Sequence, residues 1–125
     1  MKEVIFTAEA GSPIGPYSQA IKVGNLVFVS GQIPVNPQNG ELVTGSIEEA
    51  THRVMQNIKS ILEAGGSCLE NVVKASIFLT NLDDFTRVNA VYGSYFSAKY
   101  PARETVQVSR LPKEVPVEIS VIAYV

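Results

Sequence analysis

Apolar side chains recur along this chain at two different periods, and the changes of period divide it into elements. Residues 2–8 alternate as a short strand, and Gly11-Ser12-Pro13-Ile14-Gly15-Pro16 then interrupts every period and predicts a loop. Ala20–Val23 and Leu26–Ser30 are strand-like runs divided by Gly24-Asn25, the signature of a hairpin turn with positive φ. Pro34, Pro37 and Asn39-Gly40 mark the next loop. A helix is predicted from Ser46, where Ser46 and Glu49 form a capping box, and its stripe is Ile47, Ala50, Val54, Ile58, Ile61 and Leu62. Gly65-Gly66 stops it.

A strand follows from about Asn71 to Leu79, with Val73, Ala75, Ile77 and Leu79 expected on its core face. Asn81-Leu82-Asp83-Asp84 caps a second helix with the stripe Phe85, Val88, Val91, Tyr92, Tyr95 and Phe96, ended by Pro101. Two strands close the chain. In the first, alternation puts Val106 and Val108 on the core face and leaves Arg103, Thr105 and Gln107 off it. In the second, Val117, Ile119, Val121 and Ala123 face the core, with Glu118 and Ser120 opposite. The eight residues Ser109–Pro116, with two prolines, are long for a hairpin and leave open whether these strands are neighbours.

The order β, β-hairpin, α, β, α, β, β makes an α+β domain spanning residues 1–125. Two singly striped helices can cover one face of such a sheet. Phe78, Ile122 and Tyr124 lie off the core faces, so the other face is expected to meet another subunit.

Composition narrows the chemistry. The chain has 125 residues, 46% of them hydrophobic and 18% charged, enough to bury roughly two thirds of the unfolded surface. A net charge of −2 with no Lys/Arg cluster makes a nucleic-acid or anionic-membrane partner unlike this chain. One cysteine (Cys68) and one histidine (His52) exclude an internal disulfide and a Cys/His metal set, and argue against a Ser-His-Asp relay. No apolar run is long enough for a signal peptide or a membrane span, so the expected setting is soluble and cytoplasmic.

Four separated segments carry a family resemblance: Gly15-Pro16-Tyr17-Ser18-Gln19-Ala20, Val29-Ser30-Gly31-Gln32-Ile33-Pro34, Pro101-Ala102-Arg103 and Leu111-Pro112-Lys113. In order, and from about residue 3 to the C-terminus, the chain resembles the Rid (YjgF-type) reactive-imine deaminases. The resemblance implies a chorismate-mutase-like α+β fold, a mixed sheet with both helices on one face and the last strand inserted antiparallel between earlier ones. It also implies a homotrimer built on a central β-barrel, with three clefts between subunits. The implied activity is cofactor-free hydrolysis of 2-imino acids or their enamine tautomers, such as 2-iminobutanoate and 2-iminopropanoate, to 2-keto acids and ammonia.

The resemblance also distributes roles. Arg103 falls on the family's carboxylate-binding arginine, Glu118 on its acid near the C-terminus, Tyr17 on its active-site tyrosine, and Gly31 on a backbone contact of the cleft. A guanidinium can grip a carboxylate with two parallel charge-assisted bonds, which lysine cannot do. A carboxylate can direct water at the imine carbon, an effect of about 10²–10⁴ for a placed base. No metal is needed, because a protonated imine is already a strong electrophile. Thr105 stands where many relatives hold cysteine, and Asn89 is a candidate substrate contact with a structural capping role as its competitor. Glu104 could tune substrate choice beside the arginine. Two other readings compete: a non-catalytic module for 2-keto acids or small carboxylates, and an RNA-cleaving translation inhibitor, which the charge disfavours.

Overall fold

The computed structural model describes all 125 residues. Six strands form one sheet: β1 (Glu3–Ile5), β2 (Ala20–Val23), β3 (Leu26–Gln32), β4 (Val72–Leu79), β5 (Ala102–Gln107) and β6 (Val117–Tyr124), in the order β1-β2-β3-β6-β4-β5. Only β4 and β5 run parallel; β6 lies antiparallel between β3 and β4, which is why its connection from β5 has to be long. Helices α1 (Ile47–Ala64) and α2 (Phe85–Gly93) intervene. The mixed sheet with two helices is the expected α+β architecture. No helix is long and apolar enough to cross a membrane.

Local signals behave as their chemistry requires. The Ser46 side chain accepts a bond from the Glu49 amide, and the Gly65 amide closes the last turn of α1. All six predicted stripe residues of α1 are buried, joined by Thr51, Met55 and Asn57. Gly24 takes φ 58° in the β2–β3 hairpin. Asn81 caps a 3-10 turn, Leu82–Asp84, that leads directly into α2. That helix ends at Gly93, earlier than Pro101 alone would require.

The sheet has one covered and one open face. Ile119, Val121 and Ala123 of β6, Ala75, Ile77 and Leu79 of β4, and Val27 and Val29 of β3 pack beneath the helices. The open face carries Phe28, Val106 and Tyr124 exposed, and Phe78 and Ile122 half-buried. It is apolar across several strands. Polar groups also stand on it: Ser120 and Glu118 project there from β6, and Lys74 lies 3.1 Å from Glu104, which also accepts a bond from Ser76. Those two hydrogen bonds, Ser76 first, hold the Glu104 carboxyl below its ordinary range.

Two face assignments differ from the periodicity. Val73 is exposed, because β4 has an extra residue between Val72, opposite Ala123, and Lys74, opposite Ile122. Strand β5 is turned over as a whole. Its parallel register sets Arg103 beside Ala75 and Thr105 beside Ile77, on the helix-covered face, and Val106 beside Phe78 on the open one. An edge strand has no complete core layer of its own, so its neighbour's register, and not its own alternation, decides its faces.

Candidate functional site

Arg103 reaches beneath α2 from the edge strand. Its Nη1 donates to Asn89 Oδ1, and its guanidinium carbon lies 5.5 Å from the ring centres of both Phe85 and Tyr92. Cation–π contacts of this kind are worth about 0.5–2 kcal/mol each, depending on desolvation. None of the chain's ion pairs includes Arg103. A cleft of about 470 Å³ opens over it, lined by Asn89, Tyr92, Gly93, Tyr100, Pro101 and Arg103. Asn89 thus orients the guanidinium. The Tyr92 hydroxyl and Thr105 Oγ1 are buried nearby in sequence and strand without a hydrogen-bond partner. Burial raises the Tyr92 hydroxyl pKa, and the adjacent Arg103 charge opposes it.

Glu118 stands on the other face. It is half-buried opposite Phe78, and burial raises its carboxyl above the ordinary glutamate range. Its seat is made by β3. Between Val29, opposite Val121, and Gln32, opposite Ile119, that strand carries one extra residue, a bulge at Ser30-Gly31. A Cβ on Gly31 would lie 2.4 Å from Glu118 Oε2 and 2.7 Å from its Cδ, so the carboxyl occupies the room a side chain would take. Gly31 was expected as a backbone contact; the geometry adds that it makes space for the acid.

Tyr17 lines the same cleft as Glu118. Gly15, at φ 119°, turns the chain so that the Tyr17 amide bonds to the Gly15 carbonyl at 3.0 Å, and the ring is left exposed. Tyr17, Gly31 and Glu118 line a second cleft of about 740 Å³, with Ile33, Asn36 and Lys113 on its walls. The structure therefore brings Arg103 and Asn89 together, and separately Tyr17, Gly31 and Glu118. The expectation that Arg103, like Glu118, lies off the core face is corrected: Arg103 projects from the helix-covered face of β5 and Glu118 from the open face of β6, with β4 between them. Glu104 likewise points away from Arg103, toward Lys74.

The model of the family described as Endoribonuclease L-PSP matches residues 7–125. The chain belongs to this Rid (YjgF-type) family. A RutC family protein of Pyrococcus abyssi is 58% identical over 98% of this chain and 97% of its own. A protein of Dermatophagoides farinae named 2-iminobutanoate/2-iminopropanoate deaminase is 44% identical over 99% of this chain and 97% of its own. Among solved structures, Escherichia coli TdcF with bound serine superposes with a TM-score of 0.95 at 41% identity, covering 98% of each chain. Each of the four motif segments contributes residues to one of the two clefts.

Sequence reasoning passed over Gln19, Tyr100 and Lys113 as site neighbours. Gln19 and Lys113 lie inside motif segments, which was the available signal. Tyr92 read as a core residue, and it is one; its second role beside Arg103 depends on the fold.

Proposed function

We propose that this Rid-family chain hydrolyses small 2-imino acids and their enamine tautomers to 2-keto acids and ammonia, in clefts shared between copies of a homotrimer. The observation that carries the reading is the division of the two charged groups. Arg103, unpaired and braced by Asn89, suits a carboxylate; Glu118, desolvated and seated on Gly31, suits proton transfer. Two strand spacings, about 10 Å across the sheet, and three residues of register, about 10 Å along it, separate them, and they face opposite ways. In an imino acid the carboxylate and the imine carbon are adjacent atoms. The two groups can serve one substrate only if the β5 edge of one copy meets the open face of another. The apolar open face supports such an assembly.

Arg103 anchors the carboxylate. Glu118 in its acid form gives a proton to the enamine carbon or the imine nitrogen. The carboxylate so formed takes a proton from the attacking water and returns it to the amino nitrogen of the resulting carbinolamine. The C–N bond then breaks as the hydroxyl proton leaves with ammonia. The balance is R–C(=NH₂⁺)–COO⁻ plus H₂O giving R–CO–COO⁻ plus NH₄⁺. Tyr17 walls the cleft from the side of Glu118, and Thr105 offers no thiol to the reaction.

The test generates 2-iminobutanoate in situ from threonine with a dehydratase and follows 2-keto acid release. Release should accelerate with the protein and return to the uncatalysed rate with Arg103→Ala. No acceleration with any small imino acid defeats the proposal. The serine bound to TdcF favours one rival, a module that binds small carboxylates without turnover. Calorimetric binding of serine or 2-ketobutanoate in the absence of deamination would select it.

A further inference from the structure

Between Ile5 and Ala20 the chain leaves the sheet, and this excursion carries Tyr17. Gln19, at its end, is only 1% exposed, and a buried amide needs partners for both its oxygen and its nitrogen. Its Oε1 accepts from the Thr7 amide at 2.8 Å, and its Nε2 donates to the Thr7 carbonyl at 3.0 Å and the Gly11 carbonyl at 2.9 Å. The paired bonds to Thr7 imitate the exchange between directly opposed residues of an antiparallel ladder.

That imitation has a geometric result. The β1–β2 register pairs Ile5 with Ala20, and its simple continuation would set Thr7 against the backbone of Ser18. The Gln19 side chain takes that backbone's place. The Gln19 carbonyl carries on the β2–β3 register, in which Ala20 pairs with Val29, and the Ser18 carbonyl, left without a β1 partner, turns to β3 as well. The Ser30 amide donates to the Gln19 carbonyl at 2.9 Å, and Ser30 Oγ to the Ser18 carbonyl at 2.6 Å. Tyr17 thereby lines the same cleft as the Ser30-Gly31 bulge, where Glu118 is seated. The far side of the excursion is held too, since Gly11 lies close enough to Val35 that a Cβ would meet its Cγ1 at 3.3 Å.

We infer that Gln19 is a positioning residue: its amide substitutes for a strand so that Tyr17 is held on the wall of the cleft that contains Glu118. This rests on the proposed function of that cleft. Glutamate is isosteric but cannot donate to the Thr7 and Gly11 carbonyls, and leucine leaves all three backbone groups unpaired.

Gln19→Leu and Gln19→Glu, each with Tyr17 intact and with Tyr17→Ala, test the inference by hydrogen exchange and by imino-acid deamination. Exchange in residues 6–18 should rise at least tenfold while β4 and β6 stay unchanged. The kcat should fall at least tenfold with Tyr17 present and less than twofold in the Tyr17→Ala background, with KM moving less than kcat. Equal losses in both backgrounds overturn it, as does unchanged exchange in the loop or a uniform rise across the sheet. If the wild-type chain deaminates nothing, the reading of the cleft fails, and the exchange measurement alone decides whether Gln19 holds the loop.

Discussion

Replacing Gly31 by alanine puts a methyl group where the Glu118 carboxyl now lies. The new Cβ would stand 2.4 Å from Oε2, 2.7 Å from Cδ and 3.1 Å from Cγ, whereas ordinary contacts begin at 3.4 Å. The nearest oxygen has to retreat by about 1 Å, and because Cδ and Cγ are also too close, turning the carboxyl about its last bond does not relieve the clash. The whole side chain must leave its seat. A displacement of about 1 Å in a reacting group can cost about 10²-fold in rate. Stability should change far less. The clash is with a side chain that can move, and the backbone entropy lost from the unfolded chain on going from glycine to alanine offsets part of the roughly 1–3 kcal/mol of overpacking. The assay is steady-state deamination of 2-iminobutanoate generated in situ, with thermal unfolding alongside. We expect kcat to fall about 10²-fold with the unfolding midpoint within a few degrees of wild type. Combined with Glu118→Gln, the alanine should add little further loss. Activity within twofold of wild type, or a full additional 10²-fold loss in the Glu118→Gln background, would refute the role given to Gly31.

Other consequences are equally direct. Because burial raises the Glu118 carboxyl pKa, the folded chain holds that proton more tightly than the unfolded chain; its contribution to stability is complete below the ordinary glutamate pKa and is lost as pH rises through the raised value. Glu118→Gln should therefore match wild type in acid and become relatively more stable toward pH 8, as followed by urea midpoints; parallel pH curves would contradict this. Arg103→Lys keeps the charge but loses the planar fork that meets Asn89 and a carboxylate, so kcat/KM should drop at least 10²-fold while Tm stays nearly constant. Phe28→Glu places a charge on the apolar open face and should shift the sedimenting species to monomer, with loss of deamination; an unchanged oligomer argues against that face as the subunit contact. Ser46→Ala removes the α1 cap and should cost about 1 kcal/mol in unfolding free energy, with activity preserved.

Much of the fold was legible because its signals are local. The Ser46 cap, the Gly24 turn and the stripe of α1 act within a few residues, and each appears where the period places it. Strand β6 was legible too, since a central strand with one complete apolar face has only one way to lie. Strand β5 was not. Its residues Arg103, Glu104, Thr105, Val106 and Gln107 offer no face apolar enough to bury, so the pairing of Arg103 with Ala75 settled the matter from outside. Val73 was misplaced for a similar reason: a bulge depends on two strands and leaves no mark on the period of one.

The site divides along the same line. Four motif segments carried the family resemblance, and with it the identities of Arg103, Glu118, Tyr17 and Gly31 as candidate site residues. That Arg103 lies under α2 with Asn89, that Glu118 occupies the space above Gly31, and that these two groups face apart came from the packing of the sheet. Side-chain identity is written residue by residue, whereas the face a side chain takes depends on the register between strands distant in the chain. The separation of anchor from acid is a property of that register, and it is the physical ground for placing the reaction between copies of the chain.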